Sequence, residues 1–399
     1  MNYITLILFG RMMDIERLAE VTTVQSFLSN YTVFMIPVNM MLCRVIAEAA
    51  GEARNRRLRQ LLSQAYLIEL LLCVLPLVFY RVLMRYLGQT HPGELVLLVI
   101  CVATFGLFLV LRGITQGRQD FFTFGFSELL LYGIKLPVSL VLIYYGFGVS
   151  GCLAGIAAAQ VLSSLYLLKK RGADGEKDVF RARRLPADRQ IWINYAHILI
   201  MQVTISLLIN NGEVLIANIY CDKREIGLYV VAAHLARILY YVIHILGTLL
   251  LPKIAAITGD ADRQARMLRT VLGVAAAVSA VYAVMLFLTR GFLIRLLYGE
   301  AYLAAEGYIV PALGYSISLG FLFLYMQYLI ATDRQRTSAN IMLLTMAVMI
   351  ILILVLRPDM RTMPWMLTAF ILCNIGLIRC FAKRTEWADK NDTDTTGVS

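Results

Sequence analysis

The sequence predicts an all-α polytopic membrane protein with about twelve transmembrane helices in two six-helix bundles. Three observations predict it: the composition, the division of the chain into apolar stretches, and the lack of strand-like alternation. Hydrophobic residues make up 59% of the 399 residues, charged residues only 16%, and the mean hydropathy is +0.71. Because soluble domains are about 45–50% apolar and about a quarter charged, this composition excludes a soluble enzyme, a secreted disulfide scaffold and a disordered chain.

Most of the apolar stretches have the length of a membrane-crossing helix, which needs about 20 residues. They lie at roughly 1–13, 24–47, 61–87, 95–116, 122–145, 149–168, 191–219, 226–251, 270–289, 307–331, 339–356 and 363–382. Turn signals such as Gly146 to Gly148 and Arg357 to Asp359 separate neighbouring stretches. No stretch alternates with period two, which argues against a barrel.

Lysine and arginine are distributed unequally over the two sides that alternating loops would occupy. One side carries 24 of these residues and the other side 10. Since the basic side of a membrane protein faces the cytoplasm, both termini and the basic segment 169–190 are expected there. These loops account for the net charge of +11, so nucleic-acid binding is not expected.

The chain contains an internal repeat. At an offset of 208 residues, Arg44 to Ala53 matches Pro252 to Ala261; at an offset of 216, Gly117 to Gln119 falls on Asp333 to Gln335. Six predicted spans separate each pair of matching loops, so the halves have the same orientation, and a pseudo-two-fold axis along the membrane normal would relate them. The expected organisation is an N-terminal bundle at 1–168, a basic cytoplasmic linker at 169–190, a C-terminal bundle at 191–382 and a polar cytoplasmic tail at 383–399.

The first span is shorter than its counterpart in the repeat. At the offset of 208, Met1 aligns with Ile209, deep inside the seventh span. Roughly ten apolar residues of helix reach only about 15 Å, half of the hydrocarbon core. We therefore expect the first helix to be truncated, through a misplaced start codon or a genuine deletion.

Several short motifs occur in an order that is similar to one family of exporters. They are Gln25-Ser26, Arg44 to Glu48, Glu213, Gly227 to Tyr229, Leu251 to Ala255 and Leu297 to Tyr302. Together they resemble the polysaccharide and lipid-linked oligosaccharide exporters of the multidrug/oligosaccharidyl-lipid/polysaccharide exporter (MOP) superfamily. The resemblance implies a transporter in the cytoplasmic (inner) membrane that flips a polyprenyl-diphosphate-linked oligosaccharide by alternating access, for cell-surface polysaccharide biosynthesis.

The resemblance also implies the partners: a lipid-linked oligosaccharide as the substrate, surrounding membrane lipids, a candidate coupling cation and candidate polysaccharide assembly proteins. It implies no cofactor. The sequence contains no Walker A motif, no HExxH and no GxSxG, so we expect no enzymatic activity. Two alternatives remain open: a cation-coupled multidrug exporter of the same superfamily, and a membrane-embedded cell-envelope polymerase.

Polar residues within the spans identify candidate functional positions, because a charge at a helix centre costs about 2.5–3.5 kcal/mol on insertion. In the fifth span, Glu128, Tyr132 and Lys135 are spaced i, i+4, i+7 and share a face. The eighth span has a corresponding face formed by His234, Arg237, Tyr241 and His244. Because a diphosphate requires positive charge in a low-dielectric cavity, Lys135 and Arg237 are predicted to clamp it, with the tyrosines and histidines as further substrate-binding residues.

The acidic residues Glu213, Glu128 and Glu69 are candidates for coupling or for charge pairing, and pairing with them is the alternative role of Lys135 and Arg237. Asn210 precedes Glu213 within a predicted interruption of the seventh span, which is either a kink or a coupling-cation site. Arg44 and Glu48, at the cytoplasmic end of the second span, form either a loop contact or a gate. No metal site is predicted, because the cysteines show no ligand spacing.

The orientation can be tested with single cysteines at positions 148 and 172 in a background lacking the seven native cysteines. The excess of basic residues on one side predicts that Gly148→Cys reacts with an impermeant maleimide in intact cells. Gly172→Cys should react only after permeabilisation. The reverse pattern would contradict the predicted topology.

Overall fold

The computed structural model describes residues 21, 24, 25, 27, 28, 31–48, 52–81, 92–170, 189–209, 212–217, 219–257 and 260–396. All regular secondary structure in these ranges is helical. Within them, ten helices are long and apolar enough to cross a membrane, and Thr32–Ala47 is a shorter apolar helix. The predicted all-α polytopic membrane fold is therefore confirmed. The first predicted span, with its expected truncation, and nearly all of the basic segment 169–190 lie outside the described residues.

The first compact unit, unit 1, comprises Met1–Tyr195. Its helices are α1 (Ile36–Ala47), α2 (Glu52–Val78), α3 (Pro92–Gly117), α4 (Phe121–Tyr144) and α5 (Gly148–Lys170). Helix α3 is central, because it packs against α1, α2 and α5, whereas α4 packs mainly along α5. A short 3-10 helix, Thr32–Met35, precedes α1.

The second compact unit, unit 2, comprises Ala196–Ser399, and the boundary between the units falls within α6. Its helices are α6 (Arg189–Ile209), α7 (Gly212–Ala217), α8 (Lys223–Ala255), α9 (Ala261–Tyr298), α10 (Glu306–Ala331), α11 (Gln335–Leu356) and α12 (Met363–Thr396). Helix α10 is mostly buried and packs against α8, α9 and α12. The seventh span is thus assigned as two helices, α6 and the short α7.

Helices α1 and α8 end at equivalent residues in the two units. They end at Ala47 and Ala255, which are 208 residues apart. The backbone amide of Glu48 donates to the carbonyl of Arg44 over 3.2 Å, and the amide of Ala256 donates to that of Pro252 over 3.1 Å. The first offset read from the sequence therefore matches the local structure.

The second offset read from the sequence is wrong by two residues. The turns after α3 and α10 each contain one left-handed residue, Gln119 with φ 61° and Asp333 with φ 62°, and these are 214 residues apart. The same offset relates the hydrogen bonds from Asp120 N to Thr115 O (3.3 Å) and from Arg334 N to Leu329 O (2.8 Å). The offset of 216 matched the two Arg-Gln dipeptides, whereas the turns are aligned by the positions at which their helices end.

Small residues bring α4 and α5 together. Ser139 is fully buried, and its hydroxyl donates to the carbonyl of Cys152 over 3.4 Å. Gly155 lies against the same serine: a Cβ there would lie 2.8 Å from the backbone N and 3.0 Å from the Cα of Ser139. Such contacts let two membrane helices approach closely.

We predict that Gly155→Ala destabilises unit 1, because the added methyl group meets backbone atoms that cannot rotate away. The expected loss in the free energy of unfolding is about 1–3 kcal/mol, and it should appear as a lower unfolding temperature in detergent. Gly125→Ala in α4 is the matched control, since a Cβ at Gly125 meets nothing within 4 Å. Equal effects of the two changes would contradict the close α4–α5 packing.

Candidate functional site

Unit 1 contains a cavity of about 250 Å³, called here the Lys135 cavity. Its lining is Gln25, Leu28, Thr32, Cys101, Phe105, Leu131, Tyr132, Lys135, Ile156 and Gln160. Helices α3, α4 and α5 contribute most of these residues. Apolar side chains form the walls, and a small number of polar groups converge in the space, as is usual for ligand sites.

Lys135 is the charged residue of this lining. Tyr132 lies one turn earlier on α4 and lines the same cavity, as expected from their spacing. Glu128, one turn earlier again, does not line it: its carboxylate forms an ion pair with Arg112, with 3.0 Å between Oε1 and Nε. The Arg112 guanidinium also lies 4.6 Å from the centre of the Phe124 ring. The described lining of the cavity therefore contains a cation and no carboxylate.

Two glutamines of the cavity were not identified as site residues from the sequence. Gln160 of α5 is buried, and its Oε1 accepts the hydroxyl of Thr104 over 2.5 Å. The amide nitrogen of Gln25 donates to Cys152 Sγ over 3.1 Å. An isolated glutamine in an apolar span is the signal that would have found Gln160. Together with Lys135 and Tyr132, these amides can hold an anion and hydrogen-bond to hydroxyl groups.

In unit 2, two of the predicted residues form a buried ion pair. Arg237 Nη2 of α8 donates to Glu213 Oε1 of α7 over 2.5 Å, and the Tyr229 hydroxyl donates to the same oxygen over 3.2 Å. The side chains of Arg237 and Glu213 are only 4% and 0% exposed. The pair thus fastens the short helix α7 to α8. Asn210 lies outside the described residues.

The other residues of the predicted α8 face have different surroundings. His234 Nδ1 lies 3.4 Å from the hydroxyl of Tyr298. The His244 ring stacks on Phe323 with 4.3 Å between ring centres. Tyr241, in contrast, is 47% exposed. The three residues lie beside different groups, and their contact with a substrate stays a prediction.

Arg44 and Glu48 lie at the end of α1, as expected. Arg44 Nε is 3.6 Å from Glu48 Oε1, and Arg57 Nη1 of α2 is 3.4 Å from Glu48 Oε2. Glu48 therefore joins the end of α1 to the first turns of α2. This is the loop contact that the sequence allowed for, and a gating role stays a prediction.

The chain matches the family model for polysaccharide biosynthesis proteins over residues 28–306. No curated protein sequence matches it. Its fold is similar to that of solved transporters. A point mutant of the MATE transporter VcmN from Vibrio cholerae has a TM-score of 0.80 at 12% identity, with 97% of this chain and 92% of that chain covered. A MOP superfamily transporter from Pyrococcus furiosus has a TM-score of 0.79 at 14% identity, with 98% and 92% covered.

The fold is therefore that of a multi-pass membrane protein, and it is similar to the fold of solved MOP superfamily transporters. The chain belongs to the polysaccharide biosynthesis protein family, whose model covers more than half of its length. The family resemblance read from the sequence motifs is confirmed. The likeness to the two solved transporters, at such low identity, concerns the fold.

The buried pair in unit 2 gives a prediction for stability. Arg237→Gln leaves an uncompensated buried carboxylate, which in soluble proteins costs about 3–5 kcal/mol. The double variant Glu213→Gln/Arg237→Gln should lose less, because no charge is left buried. The measurement is the free energy of unfolding in detergent, taken as a double-mutant cycle.

Arg57→Gln is the matched control for this cycle, because Arg57 is a mostly exposed partner of Glu48. An exposed pair contributes about 0–1 kcal/mol, so this change should have little effect. Strictly additive losses at Glu213 and Arg237 would show that the two side chains do not stabilise each other.

Proposed function

We propose that this protein flips a polyprenyl-diphosphate-linked oligosaccharide across the cytoplasmic membrane by alternating access. The observation that carries the proposal is the polarity of the Lys135 cavity, which has an ammonium group and no carboxylate in its described lining. Membership of the polysaccharide biosynthesis family supports the same class of substrate. The lipid tails would remain in the bilayer during transport.

The chemistry of the cavity suits a phosphate group next to a sugar. A diphosphate that enters a low-dielectric space must find compensating positive charge, and Lys135 provides it. The amides of Gln25 and Gln160 and the hydroxyl of Tyr132 are groups that can exchange hydrogen bonds with sugar hydroxyls. A volume of about 250 Å³ can accommodate only the part of such a substrate nearest the lipid.

The same polarity argues against the alternative of a multidrug exporter for cationic compounds. A cationic drug in a low-dielectric cavity needs a carboxylate, and the described lining of the Lys135 cavity offers an ammonium group instead. The Pyrococcus furiosus transporter has a binding pocket of reverse polarity, which suggests a different function for that protein. One fold can thus host pockets of opposite charge, so the residues of the site carry the functional argument.

The proposal places the main substrate contact at Lys135. Arg237 is engaged with Glu213 inside unit 2, so its part in the predicted clamp requires that this buried pair separates during transport. Breaking such a pair leaves a buried charge and is costly. Substrate contact by Arg237, a coupling cation and polysaccharide assembly partners therefore stay predictions.

The test of the proposal is Lys135→Gln, which keeps a polar side chain and removes the charge. Loss of a charge-assisted contact of about 1.5–3 kcal/mol predicts a roughly 10- to 100-fold weaker binding of undecaprenyl diphosphate to the purified protein. Flipping of undecaprenyl-diphosphate-linked N-acetylglucosamine in proteoliposomes, scored by lectin access to the sugar, should fall with it. Lys135→Arg should retain part of both.

Lys169→Gln provides the matched control, since Lys169 is exposed at the end of α5 in the same unit. It should bind and flip the lipid as the wild type does. The proposal would be overturned if Lys135→Gln bound the lipid as tightly as the wild type. It would also be overturned if the wild-type protein exported ethidium but neither bound nor flipped the lipid.

A further inference from the structure

Glu69 carries a carboxylate near the middle of α2 that the proposed transport mechanism does not use. Its Oε2 is buried and has no hydrogen-bond partner among the described residues. Among the same residues, its Oε1 accepts one weak hydrogen bond, from the thiol of Cys73 on the next turn, with 3.9 Å between sulfur and oxygen. The other acidic residues considered above, Glu48, Glu128 and Glu213, all lie in ion pairs.

The carboxylate lies directly against the backbone of α3. A Cβ placed on Gly106 would overlap the carboxylate group of Glu69, so only glycine leaves room for it there. Phe105, the neighbour of Gly106, lines the Lys135 cavity, as does Thr32. Glu69 and the cavity therefore adjoin α3 at two consecutive residues, Gly106 and Phe105.

No cation among the described residues faces Glu69 from the helices that pack against α2. On α3, Arg112 is paired with Glu128, Glu94 accepts the hydroxyl of Ser150, and the Cys101 thiol donates to Leu153 O. On α1, the buried Cys43 lies near Arg112, and Arg44 lies 3.6 Å from Glu48. The other partner of Glu48, Arg57, is about three turns of α2 before Glu69. The Tyr31 hydroxyl, which precedes the 3-10 helix, donates to Leu72 O over 2.7 Å.

The surroundings of Glu69 favour a proton over a metal cation as the ion bound by its carboxylate. An ionised carboxylate without a counter-charge is expensive to bury, whereas a protonated carboxyl is not. A metal cation would need several oxygen ligands, but Glu69 is accompanied by a thiol and a glycine. No group of three His, Cys, Asp or Glu side chains in the described ranges could hold a metal ion.

We propose that Glu69 is a proton-binding site of unit 1, and that loss and uptake of its proton accompany the transport cycle through the Lys135 cavity. The coupling rests on the proposed function, whereas the site itself does not. The exchange is a simple acid dissociation, in which the carboxyl releases one proton to water and later takes one from water.

Once Glu69 has lost its proton, the carboxylate must be hydrated. Hydration loosens its contact with Gly106 and thus the part of the cavity wall formed by Phe105. Binding in the cavity and protonation thereby favour different arrangements of α2 and α3.

Infrared spectroscopy of the purified full-length protein tests the site directly. The wild type at neutral pH should show the C=O stretching band of a protonated carboxylic acid, and Glu69→Gln should lose it. Glu52→Gln, the same change at an exposed position of the same helix, should keep the band. An unchanged band in Glu69→Gln would overturn the proposal.

Gly106→Ala provides a second variant that leaves Glu69 in the chain. The added methyl group must displace the carboxyl from its place against α3, so the band should be lost or shifted. A band that stays as in the wild type in this variant would contradict the location of the proton.

The coupling is tested with undecaprenyl-diphosphate-linked N-acetylglucosamine in proteoliposomes under an imposed pH gradient. The wild type should flip the lipid several-fold faster in one direction of the gradient than in the other, and Glu69→Gln should lose this difference. A gradient response in Glu69→Gln equal to the wild type would overturn the coupling. If the wild type moves no lipid, the proposed function fails, whereas the infrared band still decides whether Glu69 holds a proton.

Discussion

A polar or charged group inside the bilayer is costly unless the protein satisfies it, because hydrocarbon offers no hydrogen-bond partner. The helices satisfy their own backbones, so the remaining cost falls on the charged side chains within the spans. In unit 2, Arg237 and Glu213 compensate each other and fasten the short helix α7 to α8. In unit 1, Arg112 and Glu128 do the same between α3 and α4. Both ion pairs therefore stabilise the packing of helices within a unit.

Two charged residues of unit 1 follow a different pattern. Among the described residues, Lys135 lines a cavity and forms no ion pair, and Glu69 lies against the backbone of α3 with one buried oxygen that has no hydrogen-bond partner. Both adjoin α3 at consecutive residues, since Phe105 lines the Lys135 cavity and Gly106 contacts Glu69. Charged residues within membrane spans that have no opposite charge beside them are candidate functional sites. The proposed substrate site and the proposed proton site thus adjoin the same part of α3.

The internal repeat shows how far sequence matching can be followed. The offset of 208 agrees with the ends of α1 and α8, because the matched residues include those at which both helices terminate. The offset of 216 failed, because a shared Arg-Gln dipeptide carried no information on where the helices end. The left-handed residues Gln119 and Asp333 mark the true equivalence. Backbone geometry, which the sequence expresses only weakly, is the safer guide to such register.

By itself the sequence determined the all-helical membrane fold, since apolar runs of spanning length leave few other structures in a bilayer. It also identified Lys135, Arg237 and Glu213 as candidate functional residues, because a charge inside a span is costly wherever it lies. Only the tertiary structure decided which of them meet. Arg237 and Glu213 lie on separate helices, and Gln160 reaches the Lys135 cavity from α5, so no spacing along one helix could reveal either contact. The packing of helices decides which charges are paired and which are left to bind.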